Sequence, residues 1–194
     1  MNRNLHYNAE SVYCYGIIHD FFDYYGFRHA IKITEQIISI ATSNRFWYKG
    51  APYHVVFFAE HLERLLTTVF IIENKRYHLK KAKLIISGGY KPDILLKKNY
   101  VHPYQKGSAW ECFPRHLSAK QYADPYLVLE KFTVAYTEAE WGKILADLSE
   151  YALSGSSISG SYDACDILFI WKRIIQLIEA CHLLEVRTYK KQKP

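Results

Sequence analysis

Apolar residues recur at helical spacing along most of the chain. The clearest run has six positions three or four residues apart, as on one face of a helix: Val55, Phe58, Leu62, Leu65, Val69 and Ile72. This run predicts a helix over residues 52–73. Pro52 suits the first helical position, because the N–H that proline lacks would have no partner there. The pattern therefore indicates an amphipathic helix that buries one face.

Two further helices are predicted before this one. The first covers residues 8–25 and ends at Gly26, a residue that commonly terminates helices. The second covers residues 27–43, and the same spacing rule assigns its inner face to Ile33, Ile37, Ile40 and Ala41. Residues 44–51 form the loop to the third helix.

The C-terminal part of the chain shows the same order of elements. Asp124 and Pro125 begin a predicted helix that runs to Tyr136. Thr137 and Glu140 have the spacing of a capping box and begin a helix that ends at Ser154. A loop rich in serine and glycine, residues 155–161, precedes a last long helix over residues 162–186.

The two sets of three helices align in order, with offsets of 111, 111 and 112 residues. Phe21 and Tyr25 fall on Phe132 and Tyr136. Any two amphipathic helices can be slid into register, so the argument depends on the common order and spacing of all three. The six apolar positions of the third helix fall on Ile167, Ile170, Ile174, Leu177, Cys181 and Leu184.

We therefore expect a single all-α domain over residues 1–194, with about six main helices in two similar three-helix units. Unit one covers about residues 8–73 and unit two about residues 123–186. A connecting segment, residues 74–122, joins them. The basic tail, residues 187–194, is expected to be a frayed and solvated terminus.

Composition narrows the class of protein. The four cysteines include no pair at CxxC spacing, so the chain contains no zinc-knuckle or redox motif. The N-terminus has no apolar stretch typical of a signal peptide. These observations predict a cytoplasmic protein that does not bind a membrane, with no metal and no cofactor.

The positive charge is concentrated in the connecting segment. The whole chain carries a formal charge of +6. Residues 74–122 hold 11 Lys and Arg against 2 Asp and Glu, a balance of +9, whereas the parts before and after carry −1 and −2. The segment also contains several aromatic residues. Cations that neutralise phosphates, placed beside rings that stack on bases, are typical of a surface for single-stranded nucleic acid.

The predicted function is therefore a non-catalytic binding or regulatory role with a polyanionic partner, nucleic acid first. The candidate contact residues are Trp47, Lys75, Arg76, Tyr77, Lys80, Lys81, Lys83, Lys97, Lys98, Trp110 and Arg115. Two alternatives explain the same composition. The segment is either a packed connection with solvated lysines, or the site of an acidic protein partner. A protein scaffold or homodimer anchored by the aromatic loop around Trp47 is the other class of function considered.

Catalytic motifs are sparse. The Glu-x-x-His spacing of di-iron helical bundles occurs once, at Glu179 and His182. His19 and Asp23 have helical i, i+4 spacing, and Cys112 lies near a cation and a base, Arg115 and His116. The Arg to His spacing of helical ribonucleases is not matched, because the candidate pairs have eight intervening residues. A metal-dependent or thiol enzyme is the remaining alternative.

Overall fold

The chain is all-helical in a computed structural model, which describes residues 9–75, 97, 100–102 and 108–189. These ranges contain seven α-helices and no β-strand, so the predicted all-α class is confirmed. Two short 3₁₀ turns, Ala109–Cys112 and Ile158–Gly160, lie between them. The helices are α1 (Ala9–Tyr25), α2 (Phe27–Ala41), α3 (Tyr53–Asn74), α4 (Ala119–Ala123), α5 (Tyr126–Ala135), α6 (Glu138–Ser154) and α7 (Ala164–Tyr189).

Local chemistry explains where the helices begin and end. Gly26 separates α1 from α2 at a positive φ of 65°, which glycine adopts without steric cost. The predicted capping box at α6 is present. The Thr137 hydroxyl accepts the Glu140 N–H at 3.3 Å, and the Glu140 carboxylate accepts the Thr137 N–H at 2.7 Å. Gly155 ends α6 in the left-handed conformation.

Two parts of the chain differ from the sequence prediction. Helix α4 lies within the connecting segment and begins with a capping box formed by Ser118 and Gln121. The prediction of a frayed tail is wrong for Arg187, which is buried within α7 and donates to the carbonyl oxygens of Tyr122 and Ala123. Helix α7 extends further because Arg187 binds the backbone at the end of α4. The tail lysines Lys190, Lys191 and Lys193 lie outside the described residues.

Helix α7 lies at the centre of the molecule. Every residue from Ile174 to Arg187 is buried. Helices α1, α2, α4 and α5 all pack against it, while α3 and α6 pack against each other. Four polar residues recur at every third position of this buried stretch, and a fifth follows two residues later: Gln176, Glu179, His182, Glu185 and Arg187. These side chains form the polar stripe of α7.

Two kinds of helix contact occur in both halves of the described chain. Within each predicted unit the first helix packs on the third, which gives the pairs α1 with α3 and α5 with α7. Between the predicted units the third helix of one packs on the second helix of the other, which gives the pairs α3 with α6 and α7 with α2. The hydroxyls of Tyr15 and Tyr126, residues 111 positions apart, lie 2.7 Å from each other in the interior. These contacts agree with the repeat, which stays a prediction. Among the described helices, none has the length and apolar character needed to cross a membrane.

Candidate functional site: a cleft between the second helix and the connecting segment

A cleft of about 520 Å³ lies between the first turns of α2 and residues 111–116 of the connecting segment. Glu179 of α7 also lines it. Phe27 and Phe113 contribute apolar surface. The polar lining consists of Arg28, His29, Lys32, Glu35, Glu111, Arg115, His116 and Glu179. A concave space on which several polar and charged groups converge is a candidate ligand site.

Glu179 binds the loop that forms one wall of the cleft. Its Oε1 accepts the Arg115 N–H at 2.7 Å, and its Oε2 accepts the His116 N–H at 2.9 Å. The same carboxylate lies 2.9 Å from Nδ1 of the His116 ring. One turn earlier on α7, Gln176 donates to the His116 carbonyl at 2.8 Å. The backbone and the ring of His116 are therefore both held by the buried helix.

These contacts decide the tautomer of His116. An ionised carboxylate is an acceptor only, so Nδ1 of the ring donates to Glu179. In the neutral imidazole Nε2 then carries the lone pair. The His116 side chain keeps 29% of its exposure, against 3% for Glu179. A buried carboxylate behind an accessible imidazole is the arrangement that orients a histidine for proton transfer.

The rim of the cleft combines cations with an exposed aromatic ring. Arg28 of α2 forms a 2.5 Å ion pair with Glu111, which links the helix to the connecting segment. The Trp110 side chain is 73% exposed, and its carbonyl oxygen accepts a bond from the Arg115 guanidinium at 3.5 Å. Within the described part of the chain, neither Lys32 nor Arg115 forms an ion pair.

A second polar cluster surrounds Glu185, two turns further along α7 from Glu179. Its carboxylate lies 3.3 Å from Nδ1 of His19, 3.7 Å from Nε2 of His102 and 3.6 Å from Nδ1 of His182. Nε2 of His182 is 2.9 Å from the Tyr100 carbonyl oxygen. Burial lowers the pKa of His102 below its ordinary value, while the nearby Glu185 carboxylate raises it less strongly.

The cluster around Glu185 lies apart from the cleft. No set of three His, Cys, Asp or Glu side chains, within the residues that the structure describes, is arranged to hold a metal ion. The phenyl ring of Phe27 stacks on the His182 imidazole at 4.3 Å and stands between this cluster and the cleft. The cluster links α1, α7 and residues 100–102 to one another.

The structure brings some of the predicted contact residues together and separates others. Arg115 lines the cleft, and Trp110 lies beside it, with its ring 6.1 Å from that of the lining residue Phe113. Lys97 is exposed, whereas Lys75 forms an ion pair with Glu10 at the beginning of α1. Six of the predicted residues lie outside the described part of the chain: Arg76, Tyr77, Lys80, Lys81, Lys83 and Lys98.

The aromatic loop after α2 is partly folded back. The Trp47 side chain is half-buried against the core, and its backbone N–H donates to the Ala152 carbonyl oxygen at 2.9 Å. Its neighbours Phe46 and Tyr48 are exposed. Trp47 therefore packs near the C-terminal end of α6 and does not line the cleft.

The residues considered for an enzyme occupy three different places. Cys112 is buried, and burial raises the pKa of its thiol, which leaves it in the weakly nucleophilic form. Glu179 binds His116, whereas His19 and His182 lie around Glu185.

Six residues of the cleft and of the cluster around Glu185 were not predicted from the sequence: Arg28, His29, Lys32, Glu111, His102 and Glu185. Glu185 could have been identified from its spacing, because Gln176, Glu179, His182 and Glu185 are polar residues that recur at every third position of an otherwise apolar helix.

Comparison with known protein families, with curated proteins and with solved structures finds no match to this chain. The chemistry of the cleft and of the connecting segment is therefore the basis for a function of this chain.

Proposed function

We propose that the chain binds single-stranded nucleic acid, with the cleft and its rim as the described part of the binding surface. The observation that carries this proposal is the placement of Trp110 and Arg115. Arg115 lines the cleft together with Arg28 and Lys32 of α2, and the exposed indole of Trp110 lies 6.1 Å, between ring centroids, from Phe113, which also lines it. Stacking on an aromatic ring and neutralisation of phosphate are the two contacts that such a strand needs.

Two cations of the cleft remain available to a phosphate. Three cations and three carboxylates line it, so their formal charges cancel. Two of the carboxylates are already engaged, since Glu111 pairs with Arg28 and Glu179 holds the Arg115 and His116 N–H groups. Lys32 and Arg115 are therefore the cations best placed to meet a phosphate. The broader attraction comes from the charge of +9 on residues 74–122.

Fluorescence anisotropy with labelled single-stranded DNA and RNA, titrated at low and at physiological salt, tests the proposal. We expect a double variant, Lys32→Glu with Arg115→Glu, to weaken binding at least 10-fold, because two phosphate contacts are replaced by repulsion. Trp110→Ala should weaken it about 5-fold or more through loss of base stacking. The exposed residues Lys172 and Tyr13, which do not line the cleft, provide matched controls as Lys172→Glu and Tyr13→Ala.

The same titration separates the cleft from the rest of the connecting segment. The triple variant Lys80→Glu, Lys81→Glu, Lys83→Glu should also weaken binding and should reduce its dependence on salt. If the wild-type chain fails to bind nucleic acid at either salt concentration, the proposal is wrong. An acidic protein partner then becomes the better explanation of the basic segment.

A further inference from the structure

We infer that the cleft cleaves RNA without a metal ion, with His116 as general base and His29 as general acid. This inference rests on the proposed function, because it requires a single strand of RNA in the cleft. It assigns a chemical reaction to the cleft, in addition to binding of the strand. The groups that would carry out the reaction are the Glu179 and His116 pair, the His29 imidazole, and the cations Lys32 and Arg115.

His116 has the contacts expected of a general base. Glu179 accepts from its Nδ1 at 2.9 Å, so the lone pair is on Nε2 of a ring that lines the cleft. The carboxylate stabilises the imidazolium that forms when Nε2 accepts a proton. The indole of Trp171 packs against the ring at 5.4 Å and near a right angle, which restricts its rotation. Glu179 acts on the reaction through His116 and is therefore a positioning residue.

A structural role alone would not need the ring contact. The two backbone N–H groups at Arg115 and His116 already attach the loop to Glu179, at 2.7 and 2.9 Å. The bond from the carboxylate to Nδ1 adds control over the orientation and tautomer of an imidazole at the wall of the cleft. The orientation and tautomer of the His116 ring matter for proton transfer, whereas the backbone of the loop is already held by the two N–H bonds.

The opposite wall supplies the other groups that the reaction needs. His29 lies in the first turn of α2, with Lys32 less than one turn further along the same helix. Gly26 caps this helix without a side chain, and its first turn carries no acidic residue, so the positive end of the helix dipole favours an anion here. Lys32 and Arg115 can stabilise the charge that develops on the non-bridging phosphate oxygens.

The reaction is a transesterification within the strand. Nε2 of neutral His116 removes the proton from a ribose 2′-hydroxyl, and the resulting oxygen attacks the adjacent phosphorus. The new P–O2′ bond forms as the P–O5′ bond breaks, and protonated His29 donates a proton to the departing 5′-oxygen. The products are a 2′,3′-cyclic phosphate and a 5′-hydroxyl. The substrate supplies its own nucleophile, so neither a metal-bound water nor a redox partner takes part.

The experiment compares cleavage and binding on matched strands. A labelled single-stranded RNA, incubated with the full chain in EDTA, should yield fragments that end in a 2′,3′-cyclic phosphate. His116→Asn and His29→Asn should each lower the rate about 100-fold or more, the usual contribution of a general acid or base. His54→Asn changes an exposed histidine outside the cleft lining and should leave the rate unchanged. Identical purification of all variants controls for contaminating nucleases.

Comparison of cleavage with binding distinguishes proton transfer from loop structure. Glu179→Gln should lower the cleavage rate, because the carboxylate no longer orients the His116 ring or stabilises the imidazolium that forms. The same strand with 2′-O-methyl groups, which cannot be cleaved, should still bind this variant. A variant that only loosens the loop would displace Arg115 as well and weaken binding as much as cleavage, and that result would remove Glu179 from its assigned role.

Binding of the same sequence with 2′-O-methyl groups shows which proposal fails. If this strand binds while the RNA stays intact, catalysis is overturned and the proposed function stands. If neither strand binds and no cleavage occurs, both proposals are overturned. Cleavage that persists unchanged in His116→Asn would identify a contaminant or another site and would also overturn the inference. Loss of cleavage with retained binding in His116→Asn supports it.

Discussion

Buried titratable side chains determine much of the chemistry of this molecule, and His102 is the clearest case at the scale of one residue. It lies 3.7 Å from the Glu185 carboxylate, and the groups that act on it are Glu185, His182, His19 and Asp23. The two acids favour its charged form and the two imidazoles oppose it. Burial is the largest influence, and it lowers the pKa of His102 below the ordinary value of 6.5.

This shift predicts loss of stability in mild acid. The unfolded chain binds a proton at His102 more tightly than the folded chain does. The stabilisation is therefore fully present above the ordinary value of 6.5 and is lost as the pH falls below it toward the folded pKa. Urea unfolding at pH 7.5 and at pH 5.5 should show a smaller loss in His102→Asn than in the wild type. His54→Asn, at an exposed position, should show the wild-type loss. An unchanged pH dependence in His102→Asn would contradict the prediction.

The sequence identified individual members of these clusters without identifying the clusters. Glu179 was recognised by its spacing from His182, but its ring partner is His116, which lies 63 residues away. His19 and Glu185 are 166 residues apart. Helical periodicity gives the face of a helix on which a residue lies, and it contains no information about which distant segment that face will meet. Pairings between distant segments therefore required the structure.

Among the helices, α7 combines two roles, because it fills the core and also binds the backbone of the connecting segment. Its buried polar stripe binds the Tyr100 carbonyl, the N–H groups at residues 115 and 116, and the Tyr122 carbonyl of the connecting segment. It also binds the carbonyl of Ala123, directly after that segment. A segment that packs on an apolar core cannot leave its backbone groups without hydrogen bonds. The polar stripe provides these bonds, so the helix both fills the core and positions the wall of the cleft.

Arg187 provides the test of this role. The Arg187→Met variant keeps an apolar stem but leaves the carbonyls of Tyr122 and Ala123 without their donor. Because a hydrogen bond from a charged donor contributes about 1.5–3 kcal/mol, we expect urea unfolding to show a loss of about 2 kcal/mol. Lys172→Met, at an exposed position of the same helix, should change the unfolding free energy by less than about 0.5 kcal/mol. Equal stability of the two variants would show that the bonds at Arg187 are dispensable.

The element boundaries were largely predictable, because local chemistry sets them. The starts of α2 and α6 follow from Gly26 and from the Thr137 capping box, which act within a few residues of themselves. Helix α4 was missed because its five residues are too short to show an apolar period. The extent of α7 was underestimated at its C-terminal end, since a run of basic residues in sequence does not show that Arg187 is buried.

At the scale of the whole molecule, the two predicted units are interleaved. Helix α2 of unit one packs on α6 and α7 of unit two, and α3 of unit one packs on α5 and α6. The third helix of each unit thus rests on the second helix of the other. We therefore expect that neither unit buries its apolar faces by itself and that the two do not fold as separate domains.

The interleaving predicts one cooperative unfolding reaction. Leu177→Ala creates a cavity in the fully buried part of α7 and should destabilise the protein by about 2–5 kcal/mol. Hydrogen exchange followed by mass spectrometry should show that the slowest amides of α1–α3 lose as much protection as those of α5–α7. The reason is that opening unit two exposes the faces of α2 and α3 that it covers. Leu168→Ala, at an exposed position of the same helix, should leave both sets unchanged. Retained protection in α1–α3 alone would mean that unit one is stable by itself, and the contacts between the units would then contribute little to the fold.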